Sequence, residues 1–165
     1  ISSPNTKGLR KLQGNKFFED LIKEIKLEQN KLNLLHDKYT PFLVKISPDV
    51  NNEDLDNICS NILKHKVDGV IATNTSVSRD LIKSNPLHNE EGGLSGKPLT
   101  KLAMKTQKYI YKRLKNKIPI IGVGGIMSAD DGVDRIKNGA ILIQIYSGLI
   151  FKGHHLIYEI CKRIK

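Results

Sequence analysis

The sequence predicts an α/β fold built on a parallel sheet, and three observations support that class. Helical patterns alternate with short apolar runs along the whole 165-residue chain. The apolar runs are continuous, which is typical of strands that are buried on both faces and connected by helical crossovers. Polar or glycine residues follow all four of the longer apolar runs, so the residues suited to binding or catalysis lie at one end of the predicted sheet.

The first half of the chain supplies two helices and two strands. Apolar residues at helical spacing predict a helix over 15–38, and Pro41 separates it from the strand "FLVKIS" at 42–47. Turn and capping residues then lead into a helix over 53–66. The segment "DGVIATNT" at 68–75 predicts a buried strand that ends in polar groups.

The second half repeats this order after a long polar connection over 76–100. Each further segment follows from the same two signals, helical periodicity for helices and continuous apolar runs for strands. In order, the sequence predicts a helix over about 100–116, the strand "IPIIGVGGI" at 118–126, a short helix over 128–138, the strand "AILIQIYSG" at 140–148 and a closing helix over 151–164.

The polar residues lie where the predicted strands end. Lys45 lies within the first strand, residues 73–75 close the second, glycines close the third, and Tyr146 and Ser147 close the fourth. In barrels of parallel strands, the carboxyl ends carry the active site, and a complete barrel needs about 250 residues. Because this chain supplies only half of the strands, we predict the carboxyl-terminal half of a (β/α)8 TIM barrel. The opening segment "ISSPNTKGLR" is then the loop after an earlier strand.

The composition is that of a globular protein, with 39% hydrophobic and 27% charged residues. A net charge of +10 permits an anionic partner, such as nucleic acid or a membrane surface. The lysines are spread over almost every segment, however, and aromatics make up only 5% of the chain, with no Trp for base stacking. Solvated helix faces explain the charge better, and we expect no nucleic-acid partner.

Cys59 and Cys161 lie far apart within apolar helical patterns, which predicts two buried free thiols and no disulfide. Neither has a Cys or His at metal-ligand spacing, and the adjacent His154 and His155 diverge on a helix, so we expect no metal. No apolar run approaches the roughly 20 residues that cross a bilayer.

The glycine loop "GVGGI" at 122–126 follows a predicted strand and precedes a helix. Glycines let the backbone approach a ligand closely, and amides at a helix N-terminus suit a phosphate. Many strand-to-helix turns contain glycine, so this loop alone leaves its role open. A second loop, after the strand at 140–148, favours a phosphate site, because the last two strand loops of such barrels often form one. The spacing of a nucleotide-binding P-loop is absent.

Three polar clusters are candidates for chemistry. Lys45 interrupts an apolar strand, so its ammonium either reaches solvent at the strand edge or faces an anionic ligand. The carboxamide of Asn74 and the hydroxyls of Thr73 and Thr75 suit a planar amide ligand, although strand-end capping also explains them. The segment "SSPNT" at 2–6 is either a turn or a reactive loop. A serine without a His partner is a poor nucleophile for hydrolysis. Its hydroxyl can still accept a proton from a substrate that another group activates.

Six segments in this order resemble the dihydroorotate dehydrogenase family, flavin enzymes of pyrimidine synthesis: "SSPNTKGLR", "VKISPD", "DGVIATNT", "GGLSGKPL", "IIGVGGI" and "QIYSGLIFKG". The similarity runs essentially from residue 1 to residue 165. Ser3 resembles the quinone-dependent, membrane-associated class 2, because the soluble class has cysteine there, and "IYSGLIFKG" resembles its bacterial form. One departure is Gly132, where the family usually has a small side chain and where glycine costs about 0.5–1 kcal/mol of helix stability.

The resemblance implies that residues 1–165 form a partial FMN-binding TIM-barrel domain, from the loop after strand 4 through strand 8 and the closing helix. It implies that Ser3 is the catalytic base that takes the C5 proton of dihydroorotate, while FMN accepts the hydride from C6. The implied substrate-binding residues are Asn5, Asn74 and Thr75, and the implied FMN-binding residues are Lys45, Thr73, Gly96, Gly125, Tyr146 and Ser147, the last three around the phosphate.

The resemblance also implies the setting of the reaction. A quinone would reoxidise the flavin in de novo pyrimidine synthesis, and the enzyme would be a monomer in peripheral contact with the cytoplasmic side of the inner membrane. In the family, a substrate lysine, an asparagine that contacts FMN and substrate, and the helices of the quinone tunnel precede the matched segments. We therefore expect residues 1–165 to be inactive by themselves.

Two other functions stay open from the sequence. Another phosphate-binding TIM-barrel enzyme would keep the glycine loops but bind no flavin and need no Ser3. A basic nucleic-acid-binding module would depend on the charge alone, and its binding would weaken steeply with salt.

Overall fold

The computed structural model describes residues 1–3, 5–6 and 8–164, and it confirms the predicted α/β class. Its strands are β1 (Leu43–Ile46), β2 (Gly69–Ala72), β3 (Ile120–Val123) and β4 (Leu142–Gln144). They form one parallel sheet in the order β1-β2-β3-β4, so strands adjacent in sequence are also adjacent in space.

Helices connect these strands, as a parallel sheet requires. The α-helices of the described chain are α1 (Asn15–His36), α2 (Asn52–Lys64), α3 (Thr100–Leu114), α4 (Ala129–Lys137), α5 (Ser147–Lys152) and α6 (His155–Ile164). Short 3₁₀ turns precede α1 at Leu9–Gln13 and punctuate the long connection between β2 and β3 at Asp80–Ile82 and Lys97–Leu99. No helix among the described residues has the length and hydropathy needed to cross a membrane.

Side-chain caps fix the starts of the helices that follow β1 and β3. Asn51 caps α2 by accepting a hydrogen bond from Asp54 N at 2.8 Å, and Ser128 caps α4 by accepting one from Asp131 N at 3.2 Å. The acidic residues in these first turns also complement the positive end of each helix dipole. The caps thereby limit the length of the loops that follow the two strands.

The main core lies between the sheet and helices α1, α2 and α3, and it decides which way Lys45 faces. Val44 and Ile46 of β1 are buried in this core. Because successive side chains of a strand point to opposite faces, Lys45 faces away from the helices. Other buried members of this core are Phe18, Ile22, Leu55, Ile58, Ile62, Val70, Ile110, Leu114 and Ile120.

The register of the sheet brings the polar strand ends to one level. Ile46 lies opposite Ala72, and Ala72 lies opposite Gly122. Beyond the end of β2, Asn74 N still donates to Ile46 O at 2.8 Å. The loops after the first three strands therefore begin side by side.

The predicted closing helix over 151–164 is in fact two helices. The chain turns into α5 at Ser147, directly after the loop that follows β4, and α5 ends at Gly153. Gly153 has φ of 66°, a left-handed conformation that side chains disfavour and that ends helices. The second helix, α6, then packs against α4.

The prediction that both cysteines are buried holds only for Cys59. Burial raises the pKa of the Cys59 thiol to about 12, and the nearby Asp56 carboxylate adds to this rise. Cys161 is exposed, because α6 buries only Leu156 and Ile160, and the next residue lies about 100° further around the helix.

Candidate functional site

A cavity of about 260 Å³ lies at the carboxyl ends of the strands. Every predicted site residue except Ser3 and Asn5 lines it: Lys45, Thr73, Asn74, Thr75, Gly96, Gly125, Tyr146 and Ser147. A larger groove of about 530 Å³ lies between α3 and α4, lined by lysines and by carboxylates of α4, and contains none of these residues. The smaller cavity is the candidate site, because ligands of parallel α/β sheets bind at the carboxyl ends of the strands.

Lys45 brings a positive charge into this cavity from β1. Its side chain is half-buried, and within the described part of the chain no carboxylate or hydrogen-bond acceptor pairs with its ammonium. Of the two interpretations of the sequence, the structure supports a lysine that faces the cavity, not one that points outward at the strand edge. A cation in this position favours a ligand that carries or develops negative charge.

The residues after β2 form a fixed polar wall. Thr73 is buried, and its hydroxyl donates to Asn74 O at 2.9 Å. The Asn74 carboxamide oxygen accepts from Thr75 N at 2.8 Å, while its nitrogen donates to Ser2 Oγ at 3.0 Å. The carboxamide is therefore held in one orientation, and it lines the cavity beside the Thr75 hydroxyl.

The opening segment is attached to this wall through Ser2, not Ser3. The Ser2 side chain is buried and accepts the hydrogen bond from Asn74. Ser3 is half-buried, and its hydroxyl oxygen accepts from Asn5 N at 3.3 Å. Among the residues that the structure describes, no imidazole or carboxylate forms a hydrogen bond with the Ser3 hydroxyl.

The loop after β3 requires its glycines. Gly124 has φ of 108° and Gly125 has φ of 70°, conformations that L side chains rarely adopt. A Cβ on Gly125 would lie 2.4 Å from Thr100 N, and one on Gly124 would lie 2.9 Å from Ala103 Cβ. The loop therefore packs directly on the start of α3, and no side chain separates its backbone from the cavity.

Two hydrogen bonds hold the carbonyls of this loop on the side of the helices. The Thr100 hydroxyl donates to Gly125 O at 2.6 Å, and the Arg135 guanidinium donates to Gly124 O. In a trans peptide the N–H points opposite to the C=O, so the N–H groups of Gly125 and Ile126 point away from these donors. Both residues line the cavity, and neither N–H is bonded to another described residue. Successive free N–H groups of this kind form an anion-binding nest.

Arg135 lies behind the glycine loop and is almost completely buried, at 1% exposure. Burial lowers the pKa of its guanidinium to about 10, and the Asp131 carboxylate opposes this shift, so the group stays charged at neutral pH. Its Nη1 donates to Gln107 Oε1 at 3.2 Å. Gln107 is also buried, and it donates back to Arg135 O at 2.8 Å, which ties α3 to α4.

The loop after β4 closes the cavity on the other side. Ser147 Oγ donates to Ser95 Oγ at 2.9 Å, which joins this loop to the long connection before α3. Gly96 has φ of 72°, and a Cβ there would lie 3.6 Å from the Ser147 Cβ. Tyr146 is 77% exposed, so its ring lies at the rim.

The long connection itself is braced by one arginine and one carboxylate. Arg79 Nη2 donates to Glu90 O at 2.8 Å and to Gly92 O at 2.7 Å. Asp49 accepts from Ser76 Oγ at 2.5 Å, so the loop after β1 is linked to the loop after β2. These bonds explain how a segment with little regular secondary structure holds Ser95 and Gly96 at the cavity.

Sequence reasoning did not identify Ser95, Gln107 and Arg135 as parts of the site, and it placed Ser2 in a candidate segment without giving it a role. Arg135 and Gln107 lie on helices next to apolar residues, where a polar residue is usually assigned to the solvent face. Of these residues, only Arg135 has a position in the sequence that could have indicated its role. Arg135 lies in α4, the short helix that directly follows the glycine loop. Helical side chains point back toward the helix N-terminus, so a long side chain at this position can reach the loop.

Comparison with known proteins agrees with this geometry. The dihydroorotate dehydrogenase family model matches residues 1–165. The chain is 53% identical over 162 residues to a dihydroorotate dehydrogenase (quinone) of Wigglesworthia glossinidia brevipalpis, covering 98% of this chain and 48% of that protein. It is 50% identical over 160 residues to the protein of the same name from Shewanella baltica, covering 97% of this chain and 47% of that protein.

Solved structures agree as well. The crystal structure of Eimeria tenella DHODH in complex with ferulenol matches with a TM-score of 0.90 and 32% identity, over 98% of this chain and 46% of that one. The ligand-free form matches with a TM-score of 0.90 and 31% identity, over 99% and 49%. The chain spans about half the length of the curated relatives that it matches, which, with four parallel strands, confirms the predicted half of a TIM barrel. This chain belongs to the dihydroorotate dehydrogenase family.

Proposed function

We propose that this chain contributes to the oxidation of dihydroorotate to orotate, with FMN as its flavin and a quinone as the electron acceptor. The observation that carries the proposal is one cavity in which the Lys45 ammonium, unpaired among the described residues, and the fixed carboxamide of Asn74 share the lining with the glycine loop at Gly125. The curated relatives, named as quinone-dependent dihydroorotate dehydrogenases, support it.

The residues present fit FMN. The N–H groups of Gly125 and Ile126, which no other described residue binds, suit its phosphate together with the hydroxyl of Ser147. Lys45 and Thr73 would lie against the ring system, and Gly96 leaves room at its edge. When bound, FMN would supply the hydride acceptor for the C6 hydride of the substrate.

The other residues would bind the substrate and handle its proton. Asn74 and Thr75 offer hydrogen-bond donors and acceptors that suit the imide of orotate, and Asn5 would complete this set from the opening segment. Ser3 would accept the C5 proton, since Ser2 attaches its loop to Asn74. The Lys45 ammonium would stabilise the negative charge that develops on hydride transfer.

We further propose the cellular setting that the family implies. The reaction would serve de novo pyrimidine synthesis, and the enzyme would be a monomer. Because quinones are lipid-soluble, it would act in peripheral contact with the cytoplasmic side of the inner membrane. Residues 1–165 alone would not turn over dihydroorotate, because they supply only one part of the barrel wall around the cavity.

The proposal is tested in the full-length gene product by Ser3→Ala, with Ser60→Ala on the exposed surface of α2 as the matched control. We expect Ser3→Ala to slow flavin reduction by dihydroorotate about 100-fold or more, as loss of a general base does. Flavin content and orotate affinity should stay within a few-fold of wild type, and Ser60→Ala should change nothing.

Two results would contradict the proposal. Wild-type protein that purifies without flavin and does not take it up would favour another phosphate-binding barrel enzyme. Wild-type protein whose bound FMN is not reduced by dihydroorotate would exclude dihydroorotate as the substrate and leave FMN as the cofactor.

A further inference from the structure

We infer that Arg135 is a positioning residue that sets the preference of the glycine loop for a ligand carrying a phosphate. The inference rests on the proposed function, because it takes the flavin phosphate as the anion beside Gly125. Arg135 does not line the cavity, and it would act through the backbone that lies between its guanidinium and the ligand.

The first part of the argument is charge. Arg135 is 1% exposed, and no ion pair joins it to a carboxylate within the described residues. The Asp131 carboxylate acts on this charge from a distance and makes no ion pair with it, since Asp131 accepts from Met127 N at 3.0 Å and from Ser128 Oγ at 2.8 Å. A buried cation without a paired anion is costly, and an anion bound nearby reduces that cost.

The second part is direction. Arg135 donates to the carbonyl of Gly124, and Thr100 donates to the carbonyl of Gly125. These carbonyls belong to the last two peptide units of the loop. With both carbonyls held on the helix side, the N–H groups of Gly125 and Ile126 are oriented before any ligand arrives. Such preorganised N–H donors bind an anion more tightly than donors that must rotate into place.

The third part is rigidity. Gln107 is fully buried, donates to the backbone carbonyls of Arg135 and Asn138, and accepts from Arg135 Nη1. The guanidinium therefore has a fixed position between α3 and α4, and the position of its charge relative to the loop is fixed as well. A phosphate dianion should benefit from this charge, whereas a neutral ligand of the same shape should not.

The test compares FMN with riboflavin, which lacks the phosphate, on flavin-free full-length protein. We expect Arg135→Met to lower the ratio of FMN affinity to riboflavin affinity about tenfold or more, with riboflavin affinity nearly unchanged. Arg135→Lys keeps the charge and should retain most of the ratio. Arg113→Met removes an equally charged group from the exposed face of α3, where it pairs with Asp56, and should leave the ratio unchanged.

Folding of each variant is checked by the melting temperature of the flavin-free protein. If Arg135→Met does not fold, Arg135→Gln takes its place, because it removes the charge but keeps an N–H donor. A purely structural role would weaken FMN and riboflavin binding equally, and an unchanged ratio in the neutral variant would overturn the inference.

The outcomes also separate this inference from the proposed function. Wild-type protein that binds neither flavin would refute both. Wild-type protein that binds FMN without dihydroorotate turnover, and whose ratio falls in the neutral Arg135 variant, would refute the activity and uphold the role of Arg135.

Discussion

The two ends of the sheet differ in their charged groups and in the backbone N–H groups beside them. At the carboxyl end, the Lys45 ammonium and the N–H groups of Gly125 and Ile126 have no partner among the described residues. At the amino end, the Asp68 carboxylate before β2 accepts three hydrogen bonds from other segments. Groups left unpaired in a fold are available for a ligand, whereas groups paired within it stabilise the chain itself.

The amino end shows this pairing in detail. Gln29 Nε2 of α1 donates to Asp68 Oδ2 at 2.9 Å, and Phe42 N, just before β1, donates to the same oxygen at 2.9 Å. The hydroxyl of Tyr39 donates to Asp68 Oδ1. One carboxylate thus joins α1 to the segments that lead into β1 and β2, and three donors of the chain bind it.

The largest expected effect comes from Gly125→Ala at the carboxyl end. The added Cβ would lie 2.4 Å from Thr100 N, and the positive φ of 70° adds conformational strain. We expect a loss of more than about 3 kcal/mol in unfolding free energy and loss of bound flavin. Urea denaturation and flavin absorbance measure the two effects.

Gly153→Ala is the matched control for Gly125→Ala. Gly153 also has positive φ, at 66°, but a Cβ there meets nothing within 4 Å. Only the conformational cost of about 1 kcal/mol should appear, with flavin retained. Equal losses in the two variants would show that the close contact with Thr100 does not matter.

The second effect is on the amino end, where Asp68→Asn should destabilise the fold without changing ligand binding. The amide places N–H groups against the donors of Gln29, Tyr39 and Phe42, and we expect a loss of about 2 kcal/mol at neutral pH. Asp20→Asn, at an exposed position of α1, is the control. If Asp68→Asn lowered flavin affinity but not stability, the amino end would take part in ligand binding, contrary to the proposed assignment.

The same variant has a defined pH dependence. Burial alone would raise the pKa of Asp68, but the hydrogen bonds from Tyr39, Gln29 and Phe42 N outweigh it and the pKa is lowered. A lowered folded-state pKa gives stability that is present above the unfolded value of about 3.9 and is lost as pH falls through the folded value. The stability difference between wild type and Asp68→Asn should therefore be constant from pH 7 to about pH 5 and shrink below about pH 4.

A smaller effect at the carboxyl end should show the reverse pattern. Asn74→Ala removes the carboxamide that lines the cavity and donates to Ser2 Oγ. We expect orotate to bind about tenfold more weakly, close to 1.4 kcal/mol, with flavin content unchanged. Asn30→Ala, on the exposed face of α1, should leave orotate affinity at the wild-type value. If Asn74→Ala lost its flavin instead, the substrate and flavin sides of the cavity would have been assigned the wrong way round.

The division between the two ends was visible in the sequence only in part. Helical periodicity and continuous apolar runs are local signals, and they predicted the order of helices and strands and the polar strand ends such as Lys45 and Asn74. The direction of a carbonyl is not a local signal. That Gly124 O meets Arg135 depends on how α3 and α4 pack, which no residue type reports. The break at Gly153 was likewise hidden, because apolar residues continue on both sides of it.

The smallest effect concerns Gly132, which lies at neither end of the sheet and so tests whether stability can change while both ends stay intact. Helix propensity alone predicts that Gly132→Ala stabilises α4 by about 0.5–1 kcal/mol. The structure predicts the opposite sign, because a Cβ there would lie 2.8 Å from Ile160 Cγ2 of the buried α6 face. We expect a net loss of about 1 kcal/mol, measured by urea denaturation, with unchanged flavin and orotate binding.

The variant Ile160→Val tests whether contact with Ile160 causes the loss of stability expected for Gly132→Ala. Valine lacks the Cδ1 methyl that would lie 2.9 Å from the new Cβ, so the double variant should recover part of the loss relative to Ile160→Val alone. Strictly additive effects would show that the contact with the Ile160 Cδ1 methyl does not cause the loss. In that case the loss would come from the atoms that valine keeps, such as Cγ2 at 2.8 Å from the new Cβ.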